Sequence, residues 1–226
     1  MKNILVLFIG LFISLNICIA QFDEVFVAAN QTYLTGSKGS YQIRRPDSKV
    51  GFQIGAVIDF KSEKYNVLGP RNIEVSYLYT QGEIYGGFTA GGGHMISDFS
   101  YSRHQAMLST LLAEGSLSFV SLGFGLWTKV SFYNKLTGTY SFSNPKDFGD
   151  GDINELSNTV NYLNLGLNLS LKADVYKSPI YSLAFFYNVS RSFFNEFDIA
   201  VSTIFMQHTF GIRYRIVNDL KSNTAP

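Results

Sequence analysis

The sequence predicts an all-β chain: an antiparallel, up-and-down transmembrane β-barrel of eight strands, ten being the other count it allows, behind an N-terminal signal peptide. Three observations predict this. The stretch "LNLGLNLSLKADV" (163–175) is apolar at every odd position and small, polar or charged at every even one. That period of two marks a strand with two different faces. The same period recurs in several other segments. The gaps between these segments alternate long and short, as in barrels with long loops on one side of a membrane and tight turns on the other.

Taken in order, residues 1–20 read as the signal peptide. "MKN" supplies a positive charge, "ILVLFIGLFISL" a short apolar run, and "CIA" the small residues of a cleavage site before Gln21. Residues 21–49, with the apolar piece "VFVAA", read as a periplasmic lead-in or as further strands. The barrel is expected over 50–217. Its strands fall at 50–60, 72–80, 84–92, 104–114, 116–130, 163–175, 180–190 and 206–216. In 104–114, "HQAMLSTLLAE" is rich in helix formers and is assigned to a strand by its place in the series. A phase slip at Phe119–Val120 suggests a bulge. The polar segment "NDLKSNTAP" (218–226) forms a C-terminal tail.

Length decides which way the faces point. Strands in soluble domains run about five or six residues, whereas 163–175 holds its phase throughout. At about 3.3 Å per residue and a tilt near 45°, it covers roughly 30 Å, the thickness of a bilayer core. Unpaired backbone groups are intolerable there, so the strands must close into a barrel. Leu163 to Leu171 then face lipid, and the asparagines, Ser170 and Gly166 face the lumen. The competing reading is a soluble lipocalin-like carrier with the apolar face inward. That reading gives no reason for the tyrosines at the edges of the long, continuous apolar face (Tyr77, Tyr79, Tyr176, Tyr181, Tyr187, Tyr214).

Composition narrows the function. Cys18 is the only cysteine and leaves with the signal, so neither a disulfide framework nor a thiolate metal site is available. The formal charge is +1 for the whole chain, which gives no basic excess for nucleic acid. Phe (20), Tyr (14) and Gly (20) are abundant, as crowded strand faces require.

With "CIA" before Gln21, "VGFQIGAVIDF" as an early strand and "HTFGIRYRI" as a closing strand, the chain resembles the outer-membrane β-barrel domain proteins of Gram-negative bacteria, the group of PorT-like and OmpX/OmpA-type small barrels. The resemblance implies export through the secretory pathway and residence in the cell outer membrane. The sequence departs from such barrels in lacking a terminal aromatic residue.

Candidate chemistry is sparse. In "NPKDFGDGDINE" (144–155), Asp150, Asp152 and Asn154 have the spacing that begins an EF-hand loop, but Glu155 and Asn161 stand where Gly and Glu are required. "GGGH" (91–94) is not followed by the Lys-Ser/Thr of a phosphate loop. His94 and His104 are expected to flank one outer loop. His208 falls on the lipid face, but Thr209 points the other way and no neighbouring serine completes a hydrolase pair. The site singled out is a lumen charge network of Arg213, Arg215, Asp174 and Glu114, because buried charges need partners. The expected role is structural, adhesive or interactive, through the loops 131–158 and 191–205 with "SFFNEF" (192–197). The protein is expected to be neither a general porin nor an enzyme, with no cofactor and with outer-membrane lipid as its surroundings. A lipid A acyl hydrolase-like enzyme and a periplasmic carrier are the alternatives.

Overall fold

The computed structural model describes residues 22–35, 37–38, 41–59, 70–90, 93–143, 151–152, 162–195 and 204–216. Its strands, in chain order, are β1 (Glu24–Thr35), β2 (Ser37–Lys38), β3 (Tyr41–Asp59), β4 (Asn72–Ala90), β5 (Gly93–Leu117), β6 (Val120–Ser143), β7 (Gly151–Asp152), β8 (Leu163–Lys177), β9 (Tyr181–Asn195) and β10 (Ile204–Ile216). The eight long strands pair antiparallel in the order β1-β3-β4-β5-β6-β8-β9-β10, and β10 returns to β1, so the sheet closes into a barrel. The two-residue pieces β2 and β7 pair with β3 and β6.

The expected count of eight holds, but two strands are distributed differently. Residues 24–35, read from sequence as part of the lead-in, are β1. Its inward face carries Phe26 and Ala28 beside Glu24 and Asn30, so its two faces contrast too little to stand out. Residues 72–80 and 84–92, read as two strands, are one continuous β4 as far as they are described (72–90). Gln81-Gly82-Glu83 resembles a turn, but Gly82 serves a different need. A Cβ there would lie 2.7 Å from the Tyr101 hydroxyl, so glycine makes room for that ring inside the wall. Residues 93–103, expected as a loop, are the first half of β5. The phase slip at Phe119–Val120 is a hairpin turn over 118–119 instead of a bulge, with Ser118 at φ 56°.

The faces are those of an inside-out protein. Along β8, Asn164, Asn168 and Ser170 are buried, Asn164 to 1% exposure, while Leu163, Leu165, Leu169 and Leu171 are exposed, Leu163 at 61%. On β6, Leu122, Phe124, Leu126, Val130, Phe132 and Tyr133 point out, and Lys135 follows. Tilted by about 40°, that run spans roughly 26 Å, the height of the apolar band of an outer-membrane-type barrel. Tyrosines edge it. Tyr176, Tyr181 and Tyr214 stack at the end where β1 begins and β10 ends, with centroids 5.3 and 5.8 Å apart. Tyr77, Tyr79, His104, Phe132 and Tyr133 cluster at the other edge. No helix among the described residues is long and apolar enough to cross a membrane.

The sequence pattern placed the 61–71 link, most of which is outside the described residues, at the outer end; β3 ends and β4 begins at the end where β1 begins and β10 ends, which also holds the turns 118–119 and 178–180. At the opposite end the wall is uneven among the described residues. β8 stops at Leu163, opposite Val130, whereas β5 and β6 stay paired as far as His94 and Ser143. With β3 and β4 they rise about ten residues above the aromatic edge, or roughly 25 Å at the same tilt.

Candidate functional site

The inward residues of the strand ends nearest the termini converge on a cluster of charges. Register puts Glu24 of β1 opposite Arg215 of β10 on one side and Val57 of β3 on the other, and Val57 in turn opposite Glu74 of β4. Glu24 is the hub. Its Oε1 accepts from Arg215 Nε at 2.8 Å and lies 3.5 Å from Lys172 Nζ, and its Oε2 lies 3.4 Å from Arg213 Nη1. The second guanidinium nitrogen of Arg213 donates to Glu74 Oε2 at 2.6 Å, and Arg215 also pairs with Asp59. The Asp59 backbone N–H donates to the Asp23 carboxylate at 2.8 Å, tying the start of β1 to the end of β3.

Packing holds the central cation in place. The Arg213 guanidinium carbon lies 4.6 Å from the Phe186 ring centre and 5.2 Å from that of Phe26, and those rings meet edge to face at 5.4 Å. Two carboxylates in the plane and two aromatic faces compensate a desolvation that would otherwise be prohibitive.

Of the residues singled out from sequence, Arg213 and Arg215 are in this cluster. Asp174 and Glu114 line the same chamber, a cavity of about 380 Å³, together with Lys172 and Asp59. Among the described residues, no ion pair joins either of them to the arginines. The partners are Glu24, Glu74 and Asp59. Glu24 was hidden because β1 was not recognised. Glu74 and Asp59 carried a usable signal, since both fall on the polar face of segments read as strands.

A second layer fills the lumen above. Lys129 is 1% exposed, and its ammonium sits 3.0 Å from the Phe205 ring centre and 5.2 Å from that of Trp127. Trp127 Nε1 donates to the Leu167 carbonyl at 2.9 Å. Arg103 donates to Asn134 and Ser131, and Gln105 donates to Ser131. With Leu78, Gln207 and Asn164 also buried, the bore is occupied by side chains, as eight strands require.

The histidines stand apart. His104 is on β5 and its Nδ1 shares a hydrogen bond with Tyr77. His94 is on the same strand with no loop between them, contrary to the expectation, and its side chain is outside the described residues. His208 Nδ1 meets the Tyr187 hydroxyl on the outer surface, and Thr209 is buried on the opposite face. Of the acidic loop 144–155, only Gly151 and Asp152 are described, as β7. Among the described residues, no group of three His, Cys, Asp or Glu side chains is placed to hold a metal ion.

No family model and no curated protein matches the chain. Solved structures similar to it are small outer-membrane proteins. Neisserial surface protein A is 15% identical, with 85% of this chain and 96% of that one covered and a TM-score of 0.41. Ail, the attachment invasion locus protein of Yersinia pestis, in complex with the heparin analogue sucrose octasulfate, is 14% identical, with 85% and 97% covered and a TM-score of 0.37. OprG from Pseudomonas aeruginosa is 10% identical, with 86% and 96% covered and a TM-score of 0.37.

Proposed function

We propose that this outer-membrane barrel acts as a closed scaffold that presents an interaction surface outside the cell, and that it conducts no solute and catalyses no reaction. One observation carries the reading: the wall formed by β3–β6 continues well beyond the aromatic edge, while the lumen beneath is filled. A strand pair held in register from Tyr133 to Ser143 is a costly extension for a protein whose work is confined to the membrane. Rigid elements of this kind display contact residues, as loops do on other scaffolds. The lumen charges support the reading, because Arg213 and Arg215 are each met by carboxylates.

The test has two arms. In planar bilayers the protein should show single-channel conductance well below that of a general porin. In intact cells, a photo-cross-linking residue at Lys135, exposed above the apolar band, should trap a discrete partner that one at Leu122, inside the band, does not. Porin-like conductance would overturn the closed scaffold. Equal labelling at both positions would overturn the surface role.

A further inference from the structure

β1 and β3 are neighbours in the barrel, yet their pairing stops at Gln31–Val50 and resumes only at Ser37–Gln42. In between, β1 pairs with β10 as far as Thr35–Ile204, and β3 pairs with β4. Among the described residues the wall is therefore interrupted for about five residues, or roughly 16 Å. Backbone groups left unpaired at a lipid-facing wall are tolerated only where water or polar groups reach them. This puts the interruption at headgroup depth.

Directly below, the outer surface holds a cavity of about 440 Å³ lined by Ala29, Gln31, Tyr33, Val50, His208 and Phe210. Its floor follows from register. Ala29 lies between Phe210 on β10 and Phe52 on β3, a small side chain between two large exposed rings. The resulting furrow lies at the upper edge of the apolar band. Its upper end is polar, with Gln31 opposite His208, whose ring meets Tyr187 and Tyr33. Arg191 projects outward from β9 two residues beyond Val189, the register partner of His208. That diagonal places its backbone about 7–8 Å from that of His208.

We infer that the furrow between β10 and β3 holds one lipid with an anionic phosphate headgroup, its acyl chain against Ala29 and its phosphate at Arg191 and His208. An amphiphile matches the cavity because one end is aromatic and alkyl and the other offers hydrogen-bonding groups, with the Arg191 cation one diagonal step from His208. The inference goes beyond the surface role proposed above and does not rest on it.

The experiment is native mass spectrometry of the full barrel released from nanodiscs of equal phosphatidylglycerol and phosphatidylcholine, with the heat-dependent gel shift showing that each variant is folded. The unsubstituted protein should retain one phosphatidylglycerol in preference to phosphatidylcholine. Ala29→Phe should abolish retention by filling the furrow. Arg191→Gln should lower the headgroup preference about tenfold, the loss expected for one charge-assisted contact. Millimolar inorganic phosphate should leave the lipid in place. An unsubstituted barrel that retains no lipid, an Ala29→Phe barrel that retains as much, or displacement by phosphate alone would each overturn the inference.

Discussion

The pair Arg213–Glu74 gives the sharpest test of the lumen cluster. Glu74 is 5% exposed, and among the described residues Arg213 is its ion partner. Arg213→Met fills the space between Phe26 and Phe186 but leaves Glu74 buried without a cation. Truncating one member of a buried pair costs about 3–5 kcal/mol. Glu74→Gln is milder, because Arg213 keeps Glu24 at 3.4 Å. It should cost about 1–3 kcal/mol. In the double variant neither charge is stranded, so the combined loss should fall short of the sum by about 2 kcal/mol. The assay is urea unfolding in lipid vesicles followed by the fluorescence of Trp127, the only tryptophan, which is buried in the folded barrel. If the double loss equals the sum to within about 0.5 kcal/mol, the two side chains are independent and the cluster is not a coupled network.

Further outcomes are expected in the same assay. Leu169→Lys, at the middle of the lipid face of β8, should cost about 2–4 kcal/mol, while Val175→Lys near the terminal edge should cost at most about 1 kcal/mol. Equal costs would refute the membrane orientation. A Cβ at Gly166 would lie 1.9 Å from the Arg191 carbonyl oxygen and 2.6 Å from the Trp127 ring, whereas one at Gly115 meets nothing within 4 Å. Gly166→Ala should therefore cost about 1–3 kcal/mol and Gly115→Ala almost nothing; comparable urea midpoints would contradict the packing. Glu24→Gln should be far more damaging than Lys172→Gln, because Glu24 is buried among three cations and the side chain of Lys172 is 22% exposed. Parity between them would mean that Glu24 is not the hub.

What the sequence made legible follows from contrast between faces. β8 alternates leucine with asparagine, serine and glycine, so its register and orientation could be read without a structure. β10 behaves the same way and disclosed Arg213 and Arg215. β1 was illegible because Phe26 and Ala28 point inward, where they pack with Val57 and Phe186. An inward apolar residue in an inside-out barrel looks like any lipid-facing one. β4 was split at Gly82, because local sequence does not show that a ring from the next strand needs the space. The network was half legible for a related reason: cations on one strand announce that partners exist, and only closure decides which strands supply them.

Closure is where the charges matter most. The strands that meet last, β1 and β10, contribute Glu24, Arg213 and Arg215, side chains 189 and 191 residues apart along the chain. A slip of one residue between these strands would turn both arginines toward lipid and bring Phe210, Ile212 and Tyr214 inward. A slip of two residues keeps the faces but takes Glu24 away from Arg215, its register partner, and Phe26 away from Arg213. The apolar pattern rejects odd slips, and the ion cluster rejects even ones. That cluster fixes the seam with buried charge at the end opposite the one where β3–β6 rise and, among the described residues, the β1–β3 wall parts. The lumen charges thus explain why the chain closes in one register, and the contact surfaces proposed above lie on the outside of the wall they hold shut.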